Sequence, residues 1–455
     1  MLLVTTIGAF LAPFMSSALN VAVPVISREF GADASLAGWV VTSFIVASAV
    51  FLLPMGRLAD LVGREIIFLA GVGLFAAASL AAAAAQGLGV LIAVRAVQGA
   101  GAAMLFATAV ALLMAAYPAA ERGRVLGLNV ASVYIGLSTG PVVGGLLVQY
   151  VGWRAIFLVS GALAVLLALL PAVALARVRP ATVGGRFDWP GSALWAGAVV
   201  AGMAGLSGTG GPGVATALGA AALVLGAGFV AVESRVRSPL VEPRLFSANR
   251  AFALSALAAL LHYGATFAVS YLLALELQVV LGYQPRTAGL ILLAQPVLMA
   301  TLSPLAGRLS DRAEARLVAS LGMAVTTEGI AVLALAGGNL AAVLAGLAVV
   351  GIGFALFSSP NTNAVMSAVD RQQLGVAAAV LGAMRLLGQA SSMGIVTLVL
   401  GARLGGAELA DSEPALVAAA ARSVFLVFVA LSALAVVASL AGRSGRRLAD
   451  SDPVG

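Results

Sequence analysis

The stretch LAGWVVTSFIVASAVFLLPMGRLADLVGR, residues 36–64, decides the fold. Twenty residues from Leu36 to Met55 carry no charge, enough for one helical crossing of a bilayer core about 30 Å thick. The run then breaks into the glycine-bracketed basic turn Gly56-Arg57-Leu58-Ala59-Asp60-Leu61-Val62-Gly63-Arg64. Lipid cannot hydrogen-bond a stray backbone group, so an apolar run of this length must close its own bonds as a helix.

The same alternation of apolar run and short charged turn continues in both directions. Of 455 residues, 62% are hydrophobic and 9% charged, against about a quarter charged in a soluble domain. A membrane β-barrel would show short segments of alternating polarity instead. The runs predict about fourteen spanning helices, near 3–24, 36–55, 66–86, 88–115, 124–149, 154–176, 190–207, 213–232, 251–281, 287–306, 317–336, 339–359, 373–400 and 415–441. The first lacks the basic leader of a signal peptide and reads as a spanning helix.

All 25 basic residues are Arg. With the amino terminus cytoplasmic, alternate loops hold Arg57, Arg64, Arg122, Arg124, Arg177, Arg179, Arg186, Arg235, Arg237, Arg244, Arg250, Arg308, Arg312, Arg316, Arg371, Arg443, Arg446 and Arg447. The opposite loops hold Arg28, Arg154, Arg286 and Arg403. This positive-inside bias predicts that both termini are cytoplasmic, and the absence of Lys suggests a GC-rich coding genome, hence a bacterial inner membrane. The net charge of +7 is thereby a topology signal, and no nucleic-acid partner is expected. The absence of Cys and the single His262 exclude thiol chemistry and histidine clusters, so no metal, cofactor or enzymatic role is expected. A receptor would need a longer polar segment.

The turn Gly56-Arg57-Leu58-Ala59-Asp60 recurs as Gly307-Arg308-Leu309-Ser310-Asp311, 251 residues later, and Ala37-Gly38 recurs in the same register as Ala288-Gly289. This predicts a duplicated six-helix unit: an N-terminal bundle over 1–180, two inserted helices with flanking loops over 181–250, and a C-terminal bundle over 251–455. Parallel repeats of this kind carry a solute site at the midplane between the halves.

These residues resemble the major facilitator superfamily, and within it the fourteen-helix drug/proton antiporter branch. The resemblance covers the whole chain. It implies an all-α fold of two six-helix bundles related by a pseudo-two-fold axis, plus two inserted helices. The 56–64 turn is similar to the family's cytoplasmic gating loop, with Gly56 and Gly63 permitting a tight turn, Asp60 free to face a helix amino terminus, and Arg57 and Arg64 to hold carboxylates or lipid phosphates. Arg95, Gln98, Gly99 and Gly101 look like the family's helix 4 motif, where the arginine takes part in proton coupling. A central Arg costs about 2.5–3.5 kcal/mol on insertion scales, so it should face a cavity or partner, or else snorkel to an interface. Gly127, Gly136, Gly140, Pro141, Gly144 and Gly145 fit the antiporter motif of helix 5, and imply a close, bendable contact across the interface between halves. Trp153-Arg154, Phe187-Asp188-Trp189-Pro190-Gly191, Pro239-Leu240 and Met384-Arg385-Leu386-Leu387-Gly388 are weaker matches in the right order.

One departure concerns coupling. The branch places an aspartate in helix 1 where this chain has Met15. Two acids, Glu276 and Glu328, lie within apolar helices, and a desolvated carboxyl can cycle a proton near neutral pH. Glu276 is the favoured substitute, with Arg95 or Arg385 as counter-charge. The expected partners are a hydrophobic small molecule, protons and lipid, and the expected state is a monomer. The leading expectation is proton-coupled export, and the alternative is a proton-independent carrier.

Overall fold

The computed structural model describes residues 2–118, 121–174, 185–208, 210–236, 238–370, 373–405, 408–409 and 412–442, with the side chains of 122–123 and 170–174 left aside. Arg177, Arg179, Arg237, Arg371, Arg443, Arg446 and Arg447 therefore lie outside the described residues, as do the side chain of Arg122 and the 180/181 boundary. The described residues are almost entirely helical, with one isolated bridge between Asp33 and Glu408.

The first group of helices is α1 (Leu2–Phe30), α2 (Ala34–Val62), α3 (Arg64–Ala83), α4 (Leu88–Ala116), α5 (Arg122–Tyr150) and α6 (Arg154–Ala174). A hairpin follows, α7 (Trp189–Leu206) and α8 (Gly211–Glu233), then the short α9 (Pro243–Ala248). The last group opens with α10 (Arg250–Thr266) and α11 (Val269–Leu275), which runs into a π-turn, Glu276–Val280. It closes with α12 (Pro285–Leu292), α13 (Ala294–Arg312), α14 (Ala315–Leu335), α15 (Leu340–Ser367), α16 (Leu374–Leu404) and α17 (Pro414–Ala441).

Among the described residues twelve segments are long and apolar enough to cross a membrane, α10 to the π-turn counting as one and α12–α13 as another. The two remaining runs of the predicted fourteen are present as helices, α6 and α7. The described apolar part of α6 stops at Leu169, and α7 is only 18 residues long and opens Trp-Pro-Gly-Ser.

Packing repeats the sequence duplication. In the first group α1 packs on α5, α2 on α4, α3 on α4 and on α6. In the last group α10 packs on α16, α13 on α15, and α14 on α15 and on α17. The pairs correspond one to one across the repeat. A Cβ added at Gly56 would meet Ala107 of α4, and one added at Gly307 would meet Ser359 of α15, so equivalent glycines serve equivalent seams.

The α7–α8 hairpin leans on α2 and α16, one helix from each bundle. Trp195 donates to the carbonyl of Ala49 at 3.0 Å. Its open end is tied by two buried acids. Asp188 accepts from the Gly191 N–H at 2.9 Å as the N-cap of α7. Glu233 accepts from the Val241 N–H at 3.0 Å. Their remaining oxygens, Oδ2 and Oε1, have no hydrogen-bond partner and converge on the position a Cβ of residue 191 would occupy. Gly191 is there because only a hydrogen fits.

Candidate functional site

The two bundles meet most tightly at the ends where Arg is scarce. The Leu409 N–H donates to the Ala32 carbonyl at 3.2 Å. Gln278 donates to the Val21 carbonyl at 3.0 Å. The Arg286 N–H reaches Gln149 at 3.3 Å, and its guanidinium reaches Tyr150 at 3.3 Å. A Cβ at Gly38 would lie 2.9 Å from Thr397 Oγ1. Deeper in, the described polar contact between bundles is a hydroxyl chain. Ser303 of α13 donates to Tyr134 of α5 at 3.1 Å, and Tyr134 donates to Ser358 of α15 at 3.3 Å. This conformer is thus closed on the arginine-poor face.

The glycines of α5 build that closure, although not as the sequence suggested. A Cβ at Gly136 would meet the Phe10 carbonyl at 2.6 Å; at Gly144 it would meet Ala18 Cα at 2.8 Å; at Gly140 it would overlap Ser17 Oγ. All three press α5 onto α1 within one bundle, so most of the motif is not a contact between halves. Gly145 and Pro141 are the part that crosses. A Cβ at Gly145 would sit 2.6 Å from the Pro285 carbonyl of α12, and one at Gly289 of α12 would strike the Pro141 carbonyl. A Cβ at Gly127 would have nothing within 4 Å, so close approach does not require a glycine there. Pro141 lies inside an unbroken α5.

Arg95 is fully buried, which overturns the snorkelling alternative. Its Nε donates to the Val40 carbonyl at 3.0 Å, Nη1 donates to Gln98 Oε1, and the guanidinium lies 4.3 Å over the Phe44 ring. Gln98 in turn donates to Ser79 of α3 at 2.7 Å, and Ser48 donates to the Gly99 carbonyl at 3.0 Å. Gly99 lies against the Phe44 carbonyl, and a Cβ at Gly101 would be 2.8 Å from Phe75 N. The helix 4 motif is therefore a clamp joining α4 to α2 and α3.

The 56–64 segment is not one loop. α2 runs on to Val62, so Gly56 is helical and only Gly63, at φ +119°, makes the turn. A glycine surrounded by good helix formers does not stop a helix, whereas a backbone at positive φ does. Asp60 stays on the last turn of α2, where Arg64 holds it at 3.0 Å, instead of facing a helix start freely. Arg57 turns toward Gly185 and the hairpin linker. Gly307, Arg308 and Asp311 likewise lie within α13.

Of the two acids, Glu276 is 7% exposed and opens the π-turn, where the Leu281 N–H bonds to its carbonyl at 3.0 Å. π-Turns concentrate at functional positions, and this one carries Gln278 to α1. Glu328 is exposed on the outer side of α14, on the same stripe as Leu321 and Leu335. An isolated apolar run cannot reveal which face a residue takes, and here the buried stripe of Met323, Thr326 and Ile330 leaves Glu328 outside. Neither acid pairs with Arg95 or Arg385. The ion pairs among the described residues are Asp60–Arg64, Glu29–Arg154 and Glu314–Arg316. Met15 is buried against α6, where Ser160 Oγ lies 3.2 Å from its sulfur.

Arg385 belongs to the central cluster. Its guanidinium lies 5.2 Å from the Tyr263 ring centroid, with Nε lacking a partner. Tyr263, Phe354 and Phe357 form an aromatic wall with centroids 5.5–5.7 Å apart. His262 is buried in the same wall, and neither ring nitrogen has a hydrogen-bond partner. Sequence reasoning missed Tyr134 and Ser303. The available signal was a single polar residue in an apolar stretch, which marks an interior face without saying what it meets. It also missed Glu29, which joins Arg154 at 2.7 Å and accepts from Trp153 at 2.7 Å.

Comparison with known proteins agrees with this geometry. The profile of the Major Facilitator Superfamily matches residues 5–230 and 255–453. Multidrug resistance protein Stp of Mycobacterium tuberculosis (strain CDC 1551 / Oshkosh) is 34% identical over 412 residues, 89% of this chain and 76% of that protein. Riboflavin transporter RibZ of Clostridioides difficile (strain 630) is 30% identical over 394 residues, 85% of this chain and 84% of that protein. The crystal structure of a bacterial homolog of the human lysosomal transporter Spinster, inward-facing and occupied, matches at TM-score 0.71 and 17% identity. It covers 97% of this chain and 96% of that one, a likeness of fold. With a profile covering nearly the whole chain and a duplicated packing of helices around an interface closed on one face, the chain belongs to the Major Facilitator Superfamily.

Proposed function

We propose that this protein exports hydrophobic small molecules across a bacterial inner membrane in exchange for protons, by alternating access. The observation that carries this reading is the hinge-like seam itself. Gly145, Gly289 and Gln278 join the two bundles at one face, and in this reading the Ser303–Tyr134–Ser358 chain would be the floor of a site that opens to the other face. Placing the arginine-rich face in the cytoplasm puts both termini there and makes this the inward-open state. Counting α6 and α7 as spans gives fourteen crossings. The division is then 1–180, 181–250 and 251–455, with the hairpin as the insert, and the unit is a monomer in lipid. Relatives named for multidrug resistance and riboflavin transport support a small organic substrate.

Glu276 is the proton carrier in this reading. It is buried where a π-turn of one bundle meets α1 of the other, so opening the arginine-poor face would change its exposure. Glu328 is not proposed, because it lies outside the bundle. The test is exchange in proteoliposomes under an imposed pH gradient. Glu276→Gln should abolish the dependence on the gradient while preserving downhill counterflow; full gradient-driven export by that variant would refute the assignment. Met15, in place of the helix 1 acid, favours a second reading: a carrier indifferent to pH, which the same assay identifies if the wild type shows no gradient dependence.

A further inference from the structure

We infer that the central site takes a planar aromatic anion, with Arg385 as the group that binds its charge. The inference rests on the transporter reading above and adds the substrate's charge and shape.

A guanidinium is not deprotonated in proteins, so Arg385 is a fixed cation within a membrane-embedded stretch of α16. It makes no ion pair with a carboxylate among the described residues, and its Nε is buried without a partner. Arg95, the other arginine at depth, is fully buried and held inside its own bundle by Val40, Gln98 and Phe44, with Nη2 lacking a partner. Arg385 is partly exposed, so of the two it is the cation a ligand can reach. Around it are hydroxyls that can face a ligand: that of Tyr263, which accepts from Arg385 and has Tyr134 and Ser358 about it, and the Ser303–Tyr134–Ser358 chain from both bundles. The acids that might have balanced it are elsewhere, Glu276 at the π-turn and Glu328 outside the bundle.

An uncompensated cation beside hydroxyls selects anions and repels cations, because like charges at low dielectric are costly to bring together. In the aromatic wall Phe357 is fully buried, so Tyr263 and Phe354, 7% and 9% exposed, are the rings left to meet a flat ligand. The matching ligand carries a carboxylate, or an ionised enol or phenol, on an aromatic frame. The assignment also accounts for Met15. An anion leaving a negatively charged cytoplasm moves with the membrane potential, so its export leans less on a proton-binding acid in helix 1.

The test uses the full chain in nanodiscs and three probes with one ring: 2-naphthoate, 2-naphthylmethanol and 2-naphthylmethylammonium. Calorimetric titration of the wild type should rank naphthoate tightest and the ammonium weakest. R385Q should weaken naphthoate at least about tenfold, the scale of a charge-assisted bond, and leave the alcohol within about threefold. R385K should keep the anion preference at reduced affinity, and thermal unfolding of both variants controls for folding. Equal binding of the ammonium, no binding of naphthoate by the wild type, or naphthoate affinity unchanged in a folded R385Q would each overturn the inference. Binding needs no gradient, so loss of anion preference with intact pH-driven export refutes this inference alone. Anion binding without any transport refutes only the exporter reading.

Discussion

Replacing Gly289 with Ala should open the arginine-poor face while sparing the fold. The added Cβ would strike the Pro141 carbonyl, lie 2.9 Å from Pro141 C and 3.6 Å from Gly145 Cα. These are backbone atoms of the opposite bundle, so no side chain can rotate away, and the relief available is separation of α12 from α5. Overpacking of this kind costs about 1–3 kcal/mol. At about 1.4 kcal/mol per tenfold, the closed-to-open ratio of this face falls by roughly 5- to 150-fold. Gly144→Ala meets Ala18 Cα at 2.8 Å and Cβ at 2.9 Å, inside one bundle. It should cost similar stability without biasing the gate, since α1 and α5 move together. The chain has no Cys, so spin labels at Leu36→Cys and Ala402→Cys report the gate cleanly by pulsed electron spin resonance. Both sites are exposed near the seam, where Gly401 approaches Ser35. Gly289→Ala should shift the label distance to longer values. An unchanged distribution, or an equal shift in Gly144→Ala, would refute the division of the α5 motif into a packing part and a gating part.

Other outcomes follow from the same packing. Arg95→Lys should lower thermal stability in detergent by about 2 kcal/mol, because an ammonium cannot hold the Val40 carbonyl, Gln98 and the Phe44 face together; undiminished stability would contradict the clamp. Glu328→Gln should leave transport unchanged in proteoliposomes, and a defect matching Glu276→Gln would return Glu328 to the proton path. His262→Phe should raise thermal stability by about 1 kcal/mol, since it replaces two buried nitrogens lacking partners by an apolar ring among Phe354 and Phe357; a loss of stability would show that the imidazole is satisfied.

Periodicity and length determined much of this protein from the sequence alone. Runs such as Leu36–Met55 had to be helices because lipid offers backbone groups no partner. The 251-residue repeat of Gly56–Asp60 onto Gly307–Asp311 announced a duplicated unit, while the matching packing of α2 on α4 and α13 on α15 belongs to the tertiary structure. The family motifs marked which helices press closely, since only glycine permits such approach. What those glycines press against is a property of tertiary structure: Gly140 and Gly144 serve α1, and Gly145 alone among the motif's glycines meets the other bundle. The same holds for charge. In an apolar run, Glu276 and Glu328 look alike, for hydropathy has no direction. Only the neighbours of each helix decide that one closes a seam at a π-turn while the other faces outward. Arg95 and Arg385 likewise differ only in company. One is held by a carbonyl, an amide oxygen and an aromatic face inside its bundle, and the other lies beside Tyr263 with no ion pair among the described residues.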